Sequence, residues 1–317
     1  MASRSFKLRH GEPVPRGIAR IARGRIDHAV DELEGRTDSS PEKAVHEARK
    51  DMKKLRAVVR LVRGEIGDQM YRRENATFRD AGQELSGVRD ADVMLATLAK
   101  LEYDIPAAAT RDLNEALEAH KARTAGGTRE QASAQVVEAL TTARRRIGRW
   151  TLDEDGFVAV SGGLDRIYRQ GRRGFRAARA EPTTENLHEW RKRVKDLWYH
   201  LTILHSAWPP VMNALADEAH RLSEHIGDDH DLSVLLAWAE EHAPASAAAI
   251  QGPVGQRRAE LQADAFEIGA RLYADKPREF VGRIERWWGS AAFVPPPLPV
   301  PSQRAGASSG RPRSLPW

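Results

Sequence analysis

Residues 45–61, VHEARKDMKKLRAVVRL, and residues 187–201, LHEWRKRVKDLWYHL, decide the fold because they carry one pattern twice. In the first copy Val45, Ala48, Met52, Leu55, Val59 and Val62 step by three and four residues in alternation; Leu187, Trp190, Val194, Leu197, Leu201 and Leu204 repeat those steps 142 residues later. Such spacing aligns apolar side chains along one stripe of an α-helix, so each segment predicts a helix with one buried face. Beside each stripe stands the same polar set. His46, Glu47, Arg49, Lys50 and Lys53 recur as His188, Glu189, Arg191, Lys192 and Lys195. Agreement in both apolar phase and chemistry marks an internal repeat.

The repeat extends outward from these helices. Upstream lie Arg16, Arg20, Arg23 and Arg25 in the first half and Arg166, Arg169, Arg172, Arg173 and Arg176 in the second. Downstream, Arg89-Asp90 followed by Val93 and Leu95 is echoed by His230-Asp231 followed by Val234 and Leu236, displaced by 141. Between about 15 and 290 the chain is rich in Ala, Leu, Arg and Glu, with Gly and Pro at helix-length intervals, which predicts an all-α fold. The expected organisation is an extension at 1–14, a first helical bundle at 15–155 and a second at 156–290. A disordered Pro-rich tail is expected at 291–317, where consecutive prolines oppose helix formation and a packed core. The acids following Gly87 and Gly227 are expected to cap helix N-termini.

The 317 residues carry a net charge of +5. That excess sits in residues 1–14 (+2) and 291–317 (+3), so 15–290 is formally neutral. Any anion site must therefore arise from where charge lies, not from its sum. Cysteine is absent, which excludes disulfides and thiolate chemistry. Residues 1–14 lack the apolar core of a signal peptide, and no stretch approaches the length needed to span a bilayer. The expectation is a soluble, cytoplasmic chain that does not enter a membrane.

On a helix, positions 46, 49, 50 and 53 form one strip, which Arg56 and Arg60 extend. Repulsion within such a ladder costs about 0.2–0.5 kcal/mol per exposed pair, and a bound anion would offset it. Arginine forks grip paired phosphate oxygens and lysines add compact charge, so cations spread along several helices suit a chain of phosphates. His46 and His188 lie close to cations that disfavour imidazolium, a form a phosphate would favour. The flanking Arg20, Arg23, Arg169, Arg173 and Arg176 join the candidate set. Two rivals compete with this reading. Asp90-x-Asp92 and Asp228-Asp229-His230-Asp231 offer oxygen ligands for a metal-dependent phosphate-ester or diphosphate enzyme. A basic groove would also attract nucleic acid, although the strips lack interleaved aromatics for base stacking.

These residues resemble the CHAD family, the conserved-histidine α-helical domain. The resemblance rests on 45–61, on LSGVRDADVML at 85–95, and on the partial second copies at 187–201 and IGDDHDLSVLL at 226–236. It implies two four-helix bundles related by a pseudo-twofold axis, with a basic central cavity that binds inorganic polyphosphate, and association with polyphosphate granules. No cofactor and no metal site are expected. Some members are fused to a triphosphatase domain, but no ExExK signature stands in this sequence, so the expectation is binding without catalysis. The resemblance supports His46, Arg49, Lys50, Lys53 and Arg56, then His188, Arg191, Lys192 and Lys195, and it adds Arg89 with Asp90 as its orienting partner. Trp198 stands where a second Arg56 is expected, and His230 where a second Arg89 is expected. Arg72 and Arg79 are further candidates; the 141 offset pairs them with Asn213 and His220.

Overall fold

A computed structural model describes residues 5–85, 90–101, 104–124 and 129–291. The described residues are helical almost throughout. The first half contains α1 (Val14–Leu33), α2 (Pro41–Leu61), α3 (Arg63–Glu84), α4 (Asp90–Lys100), α5 (Ala107–Thr124) and α6 (Arg129–Ile147). The second contains α7 (Val158–Ala180), α8 (Thr184–Ile203), a 3-10 turn (His205–Ala207), α9 (Pro209–His242), α10 (Pro244–Leu272) and α11 (Pro277–Ala291).

The repeated helices start alike. Ser40 caps α2 by accepting from the Lys43 amide at 3.4 Å, and Thr183 caps α8 by accepting from the Asn186 amide at 3.2 Å. Each cap satisfies an amide that the helix itself leaves without a partner. The stripes then do what their spacing dictates: all their members are buried except Val45, which is half-buried. Trp190 is completely buried, stacked on Phe266 with centroids 5.8 Å apart. Gly174 and Gly269 leave room for it, since a Cβ on either would press into the Trp190 side chain or backbone.

α1, α2, α3 and α6 pack together, as do α7, α8, α9 and α10, and α2, α3 and α7 join the two groups. One apolar core runs through both. The joint is close at Gly163 of α7, where a Cβ would overlap the Leu61 carbonyl oxygen of α2. In α3, Gly67 adopts φ +75°, which kinks the helix and suits a residue without Cβ.

Three features depart from the sequence reading. α9 runs unbroken through residues 227–231, so the acids after Gly227 cap nothing; apolar packing of Ile226, Leu232 and Leu235 holds a glycine inside a helix despite its low propensity. α4 and α5 pack on the far parts of α9 and α10, where Leu98, Leu113, Leu235 and Ile250 form a second core. α4 and α5 thus tie the 15–155 segment to helices of the second group. Residues 5–13, assigned to an extension, form a strap on the body: the Leu8 amide donates to the Ile203 carbonyl at 2.9 Å, and Leu8 is buried. Residues 1–4, 86–89 and 292–317 lie outside the described residues, and the expected tail with them.

Candidate functional site

The site is built where α2 and α8 cross, because the crossing brings the two cationic ladders together. Two contacts fix it. The imidazole Nε2 of buried His200 donates to the Ala57 carbonyl at 2.9 Å; burial pushes its pKa down to about 4, so the ring is neutral. Arg60 of α2 binds the carboxylate of Asp196 on α8 at 2.6 Å. Lys53 of α2 lies close enough to Lys195 of α8 for its charge to act there: burial, then Arg191 and Lys53, push the Lys195 ammonium down to about 7. Two like charges are held at this joint by the rest of the fold.

The repeat hides a reversal of charge. Asp51 and Lys54 occupy the positions of Arg193 and Asp196. Both pairs are ion-paired one turn apart, Lys54–Asp51 at 3.7 Å and Arg193–Asp196 at 3.2 Å. Each buried aspartate also takes an arginine from another helix: Arg25 at 3.3 Å for Asp51 and Arg60 for Asp196. His28 adds a 2.6 Å contact to Asp51. A buried carboxylate needs such company. Asp196 carries its pairing across the α2–α8 joint to Arg60, whereas Asp51 is paired within the first half.

Within each ladder, repulsion is partly relieved internally. Glu47 pairs with Lys50 at 3.0 Å, and Glu189 pairs with Lys192 in the same way. A bound anion is thus not needed to explain why two cationic strips persist. Arg191 is seated on α9: its Nε donates to the Ser223 carbonyl at 3.0 Å, and its guanidinium lies against Gly227, where a Cβ would overlap Nη2 and sit 2.9 Å from Cζ. That close approach is the structural use of Gly227. Asp231, Asp228 and Glu224 surround Arg191 with negative charge, and burial raises the Asp231 pKa. The second ladder is therefore more heavily screened by acids than its sequence shows.

The structure brings several paired predictions together. Arg56 donates to Asn75 of α3 at 3.3 Å and feels the charges of Arg60 and Arg79. At the matching positions Trp198 and His220 meet edge to face, with centroids 3.9 Å apart, and His220 pairs with Glu224 at 3.1 Å. A cationic corner in one half is an aromatic corner in the other. His188 and His230 likewise lie together at 5.0 Å between centroids. The Nδ1 atoms of both are buried without a hydrogen-bond partner among the described residues. Burial, then His230 and Lys192, lower the His188 pKa. His46 and Arg49 are half-buried on α2, and Lys53 is exposed.

Several other candidates are engaged away from the ladders. Arg20 holds the 5–13 strap, donating to Glu12 at 2.7 and 2.6 Å, to the Ser5 carbonyl at 3.2 Å and to the Lys7 carbonyl at 2.9 Å. Arg23 lies against the turn that follows α6, its Nη2 3.1 Å from where a Gly148 Cβ would be. Arg169 pairs with Asp165, and Arg173 and Arg176 are exposed on α7. Arg72 is exposed on α3, and Arg79, beside Asp80 at 2.7 Å, is the α3 arginine near Arg56. Arg89 lies outside the described residues. Of the acids, Asp228 pairs with Lys100 at 2.9 Å and Asp92 with Lys121 at 2.8 Å. Buried Asp229 accepts from Arg258 at 3.0 Å and from Gln262 at 2.8 Å. No group of three potential metal ligands is assembled among the described residues. Sequence reasoning missed Lys54, Asp51, Arg193 and Asp196, although aligning the two copies exposes their charge reversal.

The class is thus an all-α protein with a duplicated helical plan and a cationic joint between its halves. The model of the CHAD domain matches residues 20–240, and the chain belongs to that family. Its fold is similar to the crystal structure of the CHAD domain from the plant Ricinus communis, with a TM-score of 0.57 and 18% identity over 88% of this chain and 96% of that one. No curated protein matches the sequence. No helix among the described residues is long and apolar enough to cross a membrane.

Proposed function

We propose that this protein binds inorganic polyphosphate, or a similarly condensed phosphate chain, along the joined α2 and α8 ladders, and that it does so without catalysis. The observation that carries the proposal is the crossing of the two ladder-bearing helices, fixed by Arg60 of α2 on Asp196 of α8 at 2.6 Å and by His200 of α8 on the Ala57 carbonyl of α2 at 2.9 Å. Family membership supports the ligand class. A linear polyanion could run from His46, Arg49, Lys50 and Lys53 on α2 to Lys195, Arg191 and His188 on α8. Only a ligand with many phosphates in a row would use both strips. The first half contributes more because Arg56 and Arg79 stand where the second half has Trp198 and His220. The role is that of a reader which places itself, or a partner, on polyphosphate in the cytoplasm or at a granule.

Calorimetric titration with polyphosphates of defined length tests this reading. Binding should tighten as the chain lengthens until both strips are spanned, and it should weaken linearly on a log–log plot against salt, as counterion release requires. Single-stranded DNA is the competitor. Equal affinity for DNA and polyphosphate would count against the specificity, and Mg²⁺-dependent phosphate release would overturn the non-catalytic role.

A further inference from the structure

Lys53 and Lys195 hold the same position in the two ladders, but the fold treats them differently: Lys53 is exposed on α2, whereas Lys195 is half-buried on α8. A lysine withdrawn from water usually gains a carboxylate in exchange. Among the described residues no carboxylate pairs with Lys195 and no hydrogen bond holds it. Its neighbour Asp196 is already occupied, one oxygen by Arg60 at 2.6 Å and the other by Arg193 at 3.2 Å. Lys50 and Lys192, on the same ladders, each keep a glutamate. One turn before Lys195, Arg191 adds a second positive charge, anchored by the Ser223 carbonyl at 3.0 Å. Lys195 is thus a half-buried amine in a cationic cluster, without the ion pair that would hold its proton. Burial, then Arg191 and Lys53, push its pKa down to about 7; Glu224 and Asp231 of α9 oppose that shift and contribute less.

We propose that Lys195 is a site of acylation by small acyl phosphates, and that its acylation weakens polyphosphate binding at the α2–α8 crossing. The neutral amine is the nucleophile, and burial beside other cations keeps a lysine neutral. With its pKa at about 7, about half of Lys195 is neutral at pH 7, where an ordinary lysine holds roughly one neutral amine in a few thousand. The cations that depress the amine also attract a doubly charged phosphate, which is the leaving group of an acyl phosphate. In the step, the Nζ lone pair attacks the acyl carbon, the bond from that carbon to the phosphate oxygen breaks, and orthophosphate departs with the proton that the amine gives up. Positive charge from Arg191, one turn away on α8, favours the negative charge that grows on the departing phosphate. The product amide is neutral, so the crossing loses one cation. The choice of donor and the loss of binding rest on the anion-binding reading above; the reactivity of the amine does not.

The full chain, incubated with acetyl phosphate near neutral pH and digested for mass spectrometry, reports the acetylation rate of each lysine. Lys195 should react at least ~10-fold faster than Lys53 or Lys192, after allowing for the weaker nucleophilicity that accompanies lower basicity. Its rate should level off above about pH 8 while theirs keep rising. An uncharged N-hydroxysuccinimide ester of acetate reports the amine without the phosphate, and the preference for Lys195 should be smaller with that reagent. Equal rates at the three lysines, a rate at Lys195 that climbs with pH as theirs do, or a preference no greater with acetyl phosphate than with the ester would overturn the proposal. Excess polyphosphate separates this site from the ladder reading. Protection of Lys195 supports both, whereas selective acetylation that polyphosphate leaves untouched would contradict binding at the ladders and keep Lys195 as a modification site. Lys195→Gln, which removes the charge as acylation does, should lower polyphosphate affinity about tenfold; unchanged affinity in this variant would overturn the regulatory half of the proposal.

Discussion

Replacing Gly227 with Ala separates stability from binding at one atom. Alanine improves helix propensity by about 0.8–1 kcal/mol at an interior position. The added methyl overlaps the Arg191 guanidinium, which is the movable end of a flexible side chain and not backbone. Arg191 should swing away and lose its 3.0 Å bond to the Ser223 carbonyl, a loss of about 0.5–1.5 kcal/mol. The two effects nearly cancel, so the melting temperature should move little. Binding has no such compensation. A guanidinium–phosphate contact contributes about 1.5–3 kcal/mol, so displacing Arg191 should weaken polyphosphate binding by about tenfold or more. Calorimetric titration beside a thermal melt measures both. Unchanged affinity with an unchanged melt would refute the claim that Gly227 exists to seat a ligand-binding arginine.

Binding should tighten as pH falls from 8 to 6. His188 starts below its ordinary value and Lys195 near 7, so both are incompletely protonated in the free protein; an anion raises both, and binding takes up protons, which titration in buffers of different ionisation enthalpy will count. Asp196→Ala leaves Arg60 and Arg193 without their shared carboxylate and should cost about 3–5 kcal/mol, read as a lower urea midpoint. Arg20→Ala should leave polyphosphate affinity unchanged while it speeds hydrogen exchange in residues 5–13, because its bonds hold the strap; reduced affinity with an unaltered strap would return Arg20 to the site.

The buried stripes were legible because helical periodicity directly decides which side chains face the core, and Trp190 or Val194 needed no knowledge of partners. The ladders were legible as strips for the same reason. Their meeting was not: the α2–α8 crossing depends on His200 reaching Ala57 and on Arg60 finding Asp196, 136 residues away, and the neighbouring α2–α7 joint on Gly163 admitting Leu61. Arg20 looked like part of an arginine-rich face, yet its partner Glu12 lies in non-helical chain that periodicity does not address. Gly227 looked like a helix boundary because glycine usually is one; only the position of Arg191 explains it inside α9. The reversal of Asp51 and Lys54 into Arg193 and Asp196 was visible in the aligned copies, but which arginine each aspartate meets was not.

The most direct test reverses the α2 ladder itself. Arg49, Lys50 and Lys53 changed together to Glu lie on the half-buried to exposed surface of α2, away from its buried stripe, so the helical circular dichroism and melting transition should persist. With about 1.5–3 kcal/mol at stake in each charge-assisted contact, polyphosphate affinity should fall by more than about 100-fold. An intact fold that binds polyphosphate as tightly as before would contradict the assignment of binding to these helices.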